Sequence, residues 1–187
     1  MTNYGQISQR LKPRVEVLRG YQPENFDAQM ARYPVAEGEL ILSGMHITPK
    51  WNAVNDRYEW VIGFNGSSLD HYVALEDHTD PDVLQAGVLP ALSCAGQYEI
   101  QTPYFKTDDT YLVGDKVTYD AATGNVKKFT GNVGTTDILG VVTRRVASVL
   151  GKNSSVVPFT IVNGDRVNNP GLNVLTFRTA FIPANVA

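Results

Sequence analysis

The run Tyr111-Leu-Val-Gly-Asp-Lys-Val-Thr-Tyr-Asp-Ala-Ala-Thr-Gly-Asn-Val-Lys-Lys-Phe129 decides the fold class. Val117 and Tyr119 alternate with Lys116 and Thr118, the two-residue period that gives a strand one apolar and one polar face. Thr123-Gly124-Asn125 then offers a residue that takes positive φ without strain, as a tight hairpin loop requires. The pattern predicts a β-hairpin. Beyond it, Asp137-Ile-Leu-Gly-Val-Val-Thr-Arg144 reads as a buried strand. The β-branched stretches Val156 to Val162 and Val174 to Ile182 read as two more.

Upstream, Pro34-Val-Ala-Glu-Gly-Glu-Leu-Ile-Leu42 and Ile47-Thr-Pro-Lys-Trp-Asn-Ala-Val-Asn-Asp-Arg-Tyr-Glu-Trp-Val-Ile62 have a related layout. An entry with Val and Gly leads into a strand, a Gly or Asn/Asp turn, and a second strand carrying an aromatic residue, Trp60 here and Phe129 there. The likeness suggests two small β lobes, whether by internal duplication or by shared hairpin grammar. Two stretches fit short helices. Phe26, Met30 and Tyr33 share a face at helical spacing before Pro34, and Asp80-Pro81 opens a turn that Gly87 closes. Residues 1–23 lack any sustained periodicity and read as an arm ordered on contact with a neighbour. The expected chain is mainly β: a small β-barrel- or sandwich-like domain, or two β lobes, with an extended N-terminal arm and one or two short helices. Residues 1–34 form the arm and its helix; residues 35–187 form the β domain, with possible lobes at 35–105 and 106–187.

At 187 residues with 19% charged, the chain is long enough to bury a core without covalent staples. Its single cysteine, Cys94, excludes an intrachain disulfide framework and a thiolate zinc cluster. Residues 1–12 hold no apolar signal region, and the longest apolar runs fall far short of the roughly 20 residues that span a bilayer. A soluble protein without membrane contact is expected, and the sequons at Asn65 and Asn153 read as surface turns. Charge is unevenly placed, with net +2 over residues 1–34, −9 over 35–110 and +4 over 111–187. Such blocks suit protein surfaces or self-association better than a nucleic-acid backbone, which wants one concentrated basic face. Lys127-Lys128-Phe129 and Arg144-Arg145 are the only basic doublets and read as solvated strand ends.

Chemistry is hard to find. Glu76-Asp77-His78-Thr79-Asp80-Pro81-Asp82, with Asp70-His71 upstream, is dense in carboxylate and imidazole but matches no calcium loop or zinc helix spacing. It reads as a solvated acidic loop capping the short helix, the alternative being a calcium ion shared between subunits. Ser67, Ser68, Ser93 and Cys94 are the candidate nucleophiles against His46, His71 and His78, yet none lies in a Gly-x-Ser-x-Gly elbow or a known cysteine signature. Cys94 reads as a small buried residue at a strand start, and His46 as a turn or sheet-rim histidine. No phosphate-binding glycine loop occurs, and no acid pair is singled out for glycoside hydrolysis. No catalytic, cofactor-binding or metal residue is therefore nominated, and a non-enzymatic protein without cofactors is expected. Aromatic residues make up 10% of the chain, and many cluster between Trp51 and Phe105. They read as core and interface packing, with a carbohydrate platform as the alternative.

Three runs together resemble the small decoration, or cement, proteins of tailed-bacteriophage heads: Leu89 to Phe105, Tyr111 to Val126, and Ile138-Leu-Gly-Val-Val-Thr143. The shared features are a G-D-x-V-T-x-D entry, here Gly114 to Asp120, a T-G-x-V turn and a late I-L-G-V-V strand in small β domains. The resemblance implies a virion structural protein made in the host cytoplasm. It would sit on the capsid exterior, commonly as a homotrimer, and clamp neighbouring subunits of the major capsid protein. On that reading the arm, Met1 to Tyr33, or the acidic 70–82 loop meets the capsid, and deleting residues 1–20 removes binding while the β domain stays folded. The alternative is another virion component, a head fibre, tail or baseplate protein, whose β domain binds host glycan around Trp51 and Trp60.

Overall fold

The computed structural model describes residues 16–20, 30–63, 70–131, 137–149, 159–162, 165–168 and 172–182. Its strands are β1 (Glu16–Gly20), β2 (Met30–Tyr33), β3 (His46–Asn52), β4 (Arg57–Ile62), β5 (Tyr72–Ala74), β6 (Leu89–Ser93) and β7 (Tyr98–Thr102). They continue with β8 (Lys116–Tyr119), β9 (Val126–Lys128), β10 (Ile138–Val149), β11 (Phe159–Val162), β12 (Asp165–Asn168) and β13 (Leu172–Ile182). Among the described residues one helix, α1 (Pro81–Ala86), lies between β5 and β6, with Pro at its start and Gly87 at φ 69 closing it. The protein is mainly β, and its strand pairs are antiparallel.

One sheet runs β1-β7-β13-β10-β8-β9 and another β2-β6-β5-β3-β4, with β11-β12 a separate hairpin. Setting β1 aside, the two orders are the same strand for strand: β2, β3, β4, β5 and β6 stand where β7, β8, β9, β10 and β13 stand. The hydrogen bonds repeat as well. Gly44 N–H donates to Ala74 O and Ala74 N–H to Met45 O, at 2.7 and 3.0 Å. Gly114 N–H donates to Val142 O and Val142 N–H to Asp115 O, at 2.9 and 2.8 Å. Val35 makes a parallel bridge to Trp60, and Phe105 makes the same bridge to Val126. The molecule holds two copies of one five-strand motif, residues 30–93 and 98–182, so the division falls between β6 and β7 rather than at residue 105. Neither sheet closes on itself, so the barrel form of the expectation gives way to two open sheets packed through shared side chains.

Each copy has its own apolar core at matching register positions. Ile41, Ile47, Trp60, Ala74, Leu89 and Ala91 fill the first. Tyr111, Val117, Val126, Val142, Leu175 and Phe177 fill the second. Burying such a side chain contributes about 1.5–3 kcal/mol for the larger ones, so each motif has its own driving force to fold. Period-two alternation then gives the first sheet a second apolar face: Val73 and Leu92 point away from Ala74 and Ala91 and join the other core beside Cys94, Tyr98 and Leu139. That face is the joint between the copies.

Two expectations about the N-terminal segment change. Met30–Tyr33 is a strand, not the end of a helix, because β6 pairs with it residue for residue from Met30↔Leu92 to Tyr33↔Leu89. Residues 24–29 of that stretch lie outside the described residues. Glu16–Gly20 is likewise no free arm, since it pairs with β7 as an edge strand. A cut after residue 20 therefore removes part of a sheet, whereas residues 1–15 lie outside the described residues.

Candidate functional site

Three side chains that are remote in sequence meet at the joint. His46 opens β3, His71 precedes β5, and Asp137 immediately precedes β10. His46 Nε2 lies 2.8 Å from His71 Nδ1, and His71 Nε2 lies 2.9 Å from Asp137 Oδ2. All three are buried, His46 at 0% exposure, so His46 is not the sheet-rim residue expected from its Gly44-Met45 context. Tyr119 stacks on the His46 ring at 4.2 Å between centroids, and the His46 amide donates to Gly124 O at 2.7 Å.

The direction of the chain follows from donor and acceptor counting. A carboxylate accepts, so His71 donates through Nε2–H; with burial favouring neutral rings, its Nδ1 is an acceptor that His46 fills through its own Nε2–H. Both rings are then neutral, and His46 Nδ1 carries a bare lone pair with no hydrogen-bond partner among the described residues. Burial, with His71 alongside, pushes His46 well below the ordinary imidazole range. Burial also lowers His71, against the upward pull of its bond to Asp137 and of the Asp137 and Asp70 charges.

The other sequence candidates fall elsewhere. Asp77 and Asp80 are buried, not solvated: Asp77 Oδ1 accepts the Ser43 amide at 2.8 Å, and the His78 amide donates to Ile41 O. The acidic run thus braces the 41–43 segment, and Asp80 stands at the helix N-cap position without a side-chain cap bond. No three His, Cys, Asp or Glu side chains converge as a metal set among the described residues. Cys94 follows β6 rather than opening a strand, and burial pushes its thiol up to about 12. Ser67, Ser68 and the sequons at Asn65 and Asn153 lie outside the described residues. Both basic doublets are tied down in part, Lys128 to Asp115 at 2.8 Å and Arg144 to Glu99 at 3.2 Å.

A cleft of about 600 Å³ lies between residues 35–39 and the β3–β4 hairpin. Pairing of Lys50 with Glu59 and Asn52 with Arg57 puts those four on one face, while Trp51 and Tyr58 pair on the other. The Glu59 carboxylate is already engaged by Asn52, Asn55 and Arg57, and those bonds hold it below its usual range. Trp60 is fully buried against Tyr33 and Tyr72, whereas Trp51 is half exposed. Leu40, Val54 and Leu84 are exposed singly, whereas Leu112 and Val113, 58% and 60% exposed, are adjacent on the turn before β8. That turn is pinned: the Leu112 amide donates to Asp115 Oδ2 at 2.7 Å, the Asp115 amide returns to Leu112 O, and Lys128 holds Asp115.

Sequence reasoning missed the joint. Its members come from three segments, and nothing local marks Asp137 as anything but a strand entry. No family model and no curated protein matches this chain.

Proposed function

We propose that the protein is a non-enzymatic virion component that decorates the outer surface of a tailed-phage capsid and clamps adjacent copies of the major capsid protein, self-associating as a homotrimer. The observation that carries this reading is the pinned turn at Leu112–Val113. It presents two apolar side chains to solvent from a backbone fixed by Asp115, inside the very run that resembles cement proteins. Rigid exposed apolar groups suit burial against a partner, since little ordering entropy remains to be lost. Of the thirteen described buried residues in the second core, ten lie in the three runs that carry the resemblance, which supports reading those runs as one unit. Many modest contacts repeated over a lattice would add up to a stabilised shell.

The test is co-sedimentation of the purified chain with undecorated heads, together with light scattering for its mass. Wild type is expected to bind as a trimer, and Leu112→Asp with Val113→Asp to lose binding by at least tenfold while remaining folded. Failure of wild type to bind would overturn the reading. A glycan-binding virion role is favoured by one feature, the exposed Trp51–Tyr58 pair with centroids 5.1 Å apart. Glycan-array binding lost in Trp51→Ala would select it; Trp60 is too buried to take part.

A further inference from the structure

We propose that the Asp137–His71–His46 chain is an acid-opened latch between the two five-strand motifs. It stands independently of any capsid role. Three observations lead there.

First, the chain sits only at the joint. The register that equates the copies sets His46 opposite Lys116 in the second motif and His71 opposite Leu139, so neither histidine is part of the shared fold. Second, its bonds run across the joint: His71 and His46 belong to the first motif, while Asp137, Tyr119 and the Gly124 carbonyl belong to the second. Third, the chain lies beside the apolar joint, His46 pairing with Val73, whose core partners include Leu92 and Leu139, and apolar side chains of similar volume in such a place are often as stabilising as a buried polar chain or more so. Replacement of His46 and His71 by apolar residues would serve a permanent joint better, whereas imidazoles make it conditional on protons.

The proton count sets the behaviour. The closed chain holds two N–H groups and one bare nitrogen, His46 Nδ1. One added proton is already disfavoured: entering at His46 Nδ1, with the His46 Nε2 proton passing to His71 Nδ1 and the positive ring against Asp137, it leaves a buried Nδ1–H that no described residue accepts. A second proton sets His46 Nε2–H against His71 Nδ1–H across 2.8 Å, two donors and two charges with no water between them. The charged and aromatic groups acting on the pair include Asp70 from the first motif, and Asp137 and Tyr119 from the second.

Opening returns both rings to water, where they take protons near pH 6.5. Their folded affinities are lower, so the open state binds more protons and the closed state loses stability as pH falls below about 6.5. With two rings withheld, the opening equilibrium rises up to about a hundredfold per pH unit; with one ring, about tenfold.

The test is amide hydrogen exchange on the intact chain from pH 7.5 to 5, corrected for intrinsic rates. The His46 amide, bonded across the joint to Gly124, is expected to open steeply with acid, while Ala74 and Val142, bonded within each motif, stay protected. His46→Gln keeps an N–H within reach of His71 Nδ1 and cannot titrate; its slope should fall toward tenfold per unit. Equal slopes in both proteins, or all three amides opening together, would overturn the proposal. Should the variant fail to fold, imidazole 15N shifts in wild type decide. Both rings neutral at pH 5.8 in the closed state uphold the latch, and ordinary titration of either refutes it.

Discussion

Gly140 shows how a single missing side chain fixes a strand pair. A Cβ there would strike the carbonyl oxygen of Arg178 and the ring of Phe177, which lies over the gap on the neighbouring strand. Gly140→Ala should therefore destabilise the protein by about 1–3 kcal/mol, the range for overpacking a close contact. Urea unfolding would show a lower midpoint with an unchanged slope; an unchanged midpoint would mean the strands can separate freely. This glycine belongs to the I-L-G-V-V run, so part of what makes that run recognisable is a packing need and not a surface signature. At the same scale the histidines were opaque. His46 follows a glycine and a methionine in a turn-like context, and only the approach of β10 from 66 residues beyond His71 reveals that it is sealed from water.

At the scale of elements, hairpins were legible because their signals are local. Lys116–Tyr119 and Val126–Lys128 pair as the alternation and the Gly124 turn predicted, with Gly124 at φ 69. The helix at Pro81–Ala86 was equally local, opened by proline and closed by glycine. Met30–Tyr33 was not, because a four-residue segment satisfies both helical and strand spacing, and the choice was made by β6 alongside it. The β3–β4 hairpin offers a test of turn chemistry. Asp56 sits at φ 51, a left-handed position that glycine occupies without a Cβ clash. Asp56→Gly is expected to raise stability by up to about 1 kcal/mol, seen as a higher thermal midpoint; a lower midpoint would show that the Asp56 side chain contributes more than its backbone costs.

For the whole molecule, the sequence hinted at two lobes but placed their boundary about ten residues too late. The correspondence lies in hydrogen-bond register and strand order, where residues as different as Trp60 and Val126 fill equivalent positions. Because Val73 and Leu92 of the first motif pack into the second core, the two should unfold together at neutral pH. In a Trp51→Phe background, Trp60 fluorescence reports the first core and Cys94 accessibility to a thiol reagent reports the second. Their denaturant transitions are expected to coincide at pH 7.5, and separated midpoints would show independent lobes.

The motif's fourth and fifth strands are joined by different inserts in its two copies: a six-residue helix in one, the β11–β12 hairpin in the other. The same position has thus accepted two unrelated pieces while the strand order around it is kept, though the flanking strands are three and five residues long in one copy and twelve and eleven in the other. It is the place where this architecture varies in length and content, and in the first copy the variable piece is also structural, since Val83 of its helix is buried in the first core, so a foreign peptide exchanged for that helix would have to replace an apolar plug as well as a link.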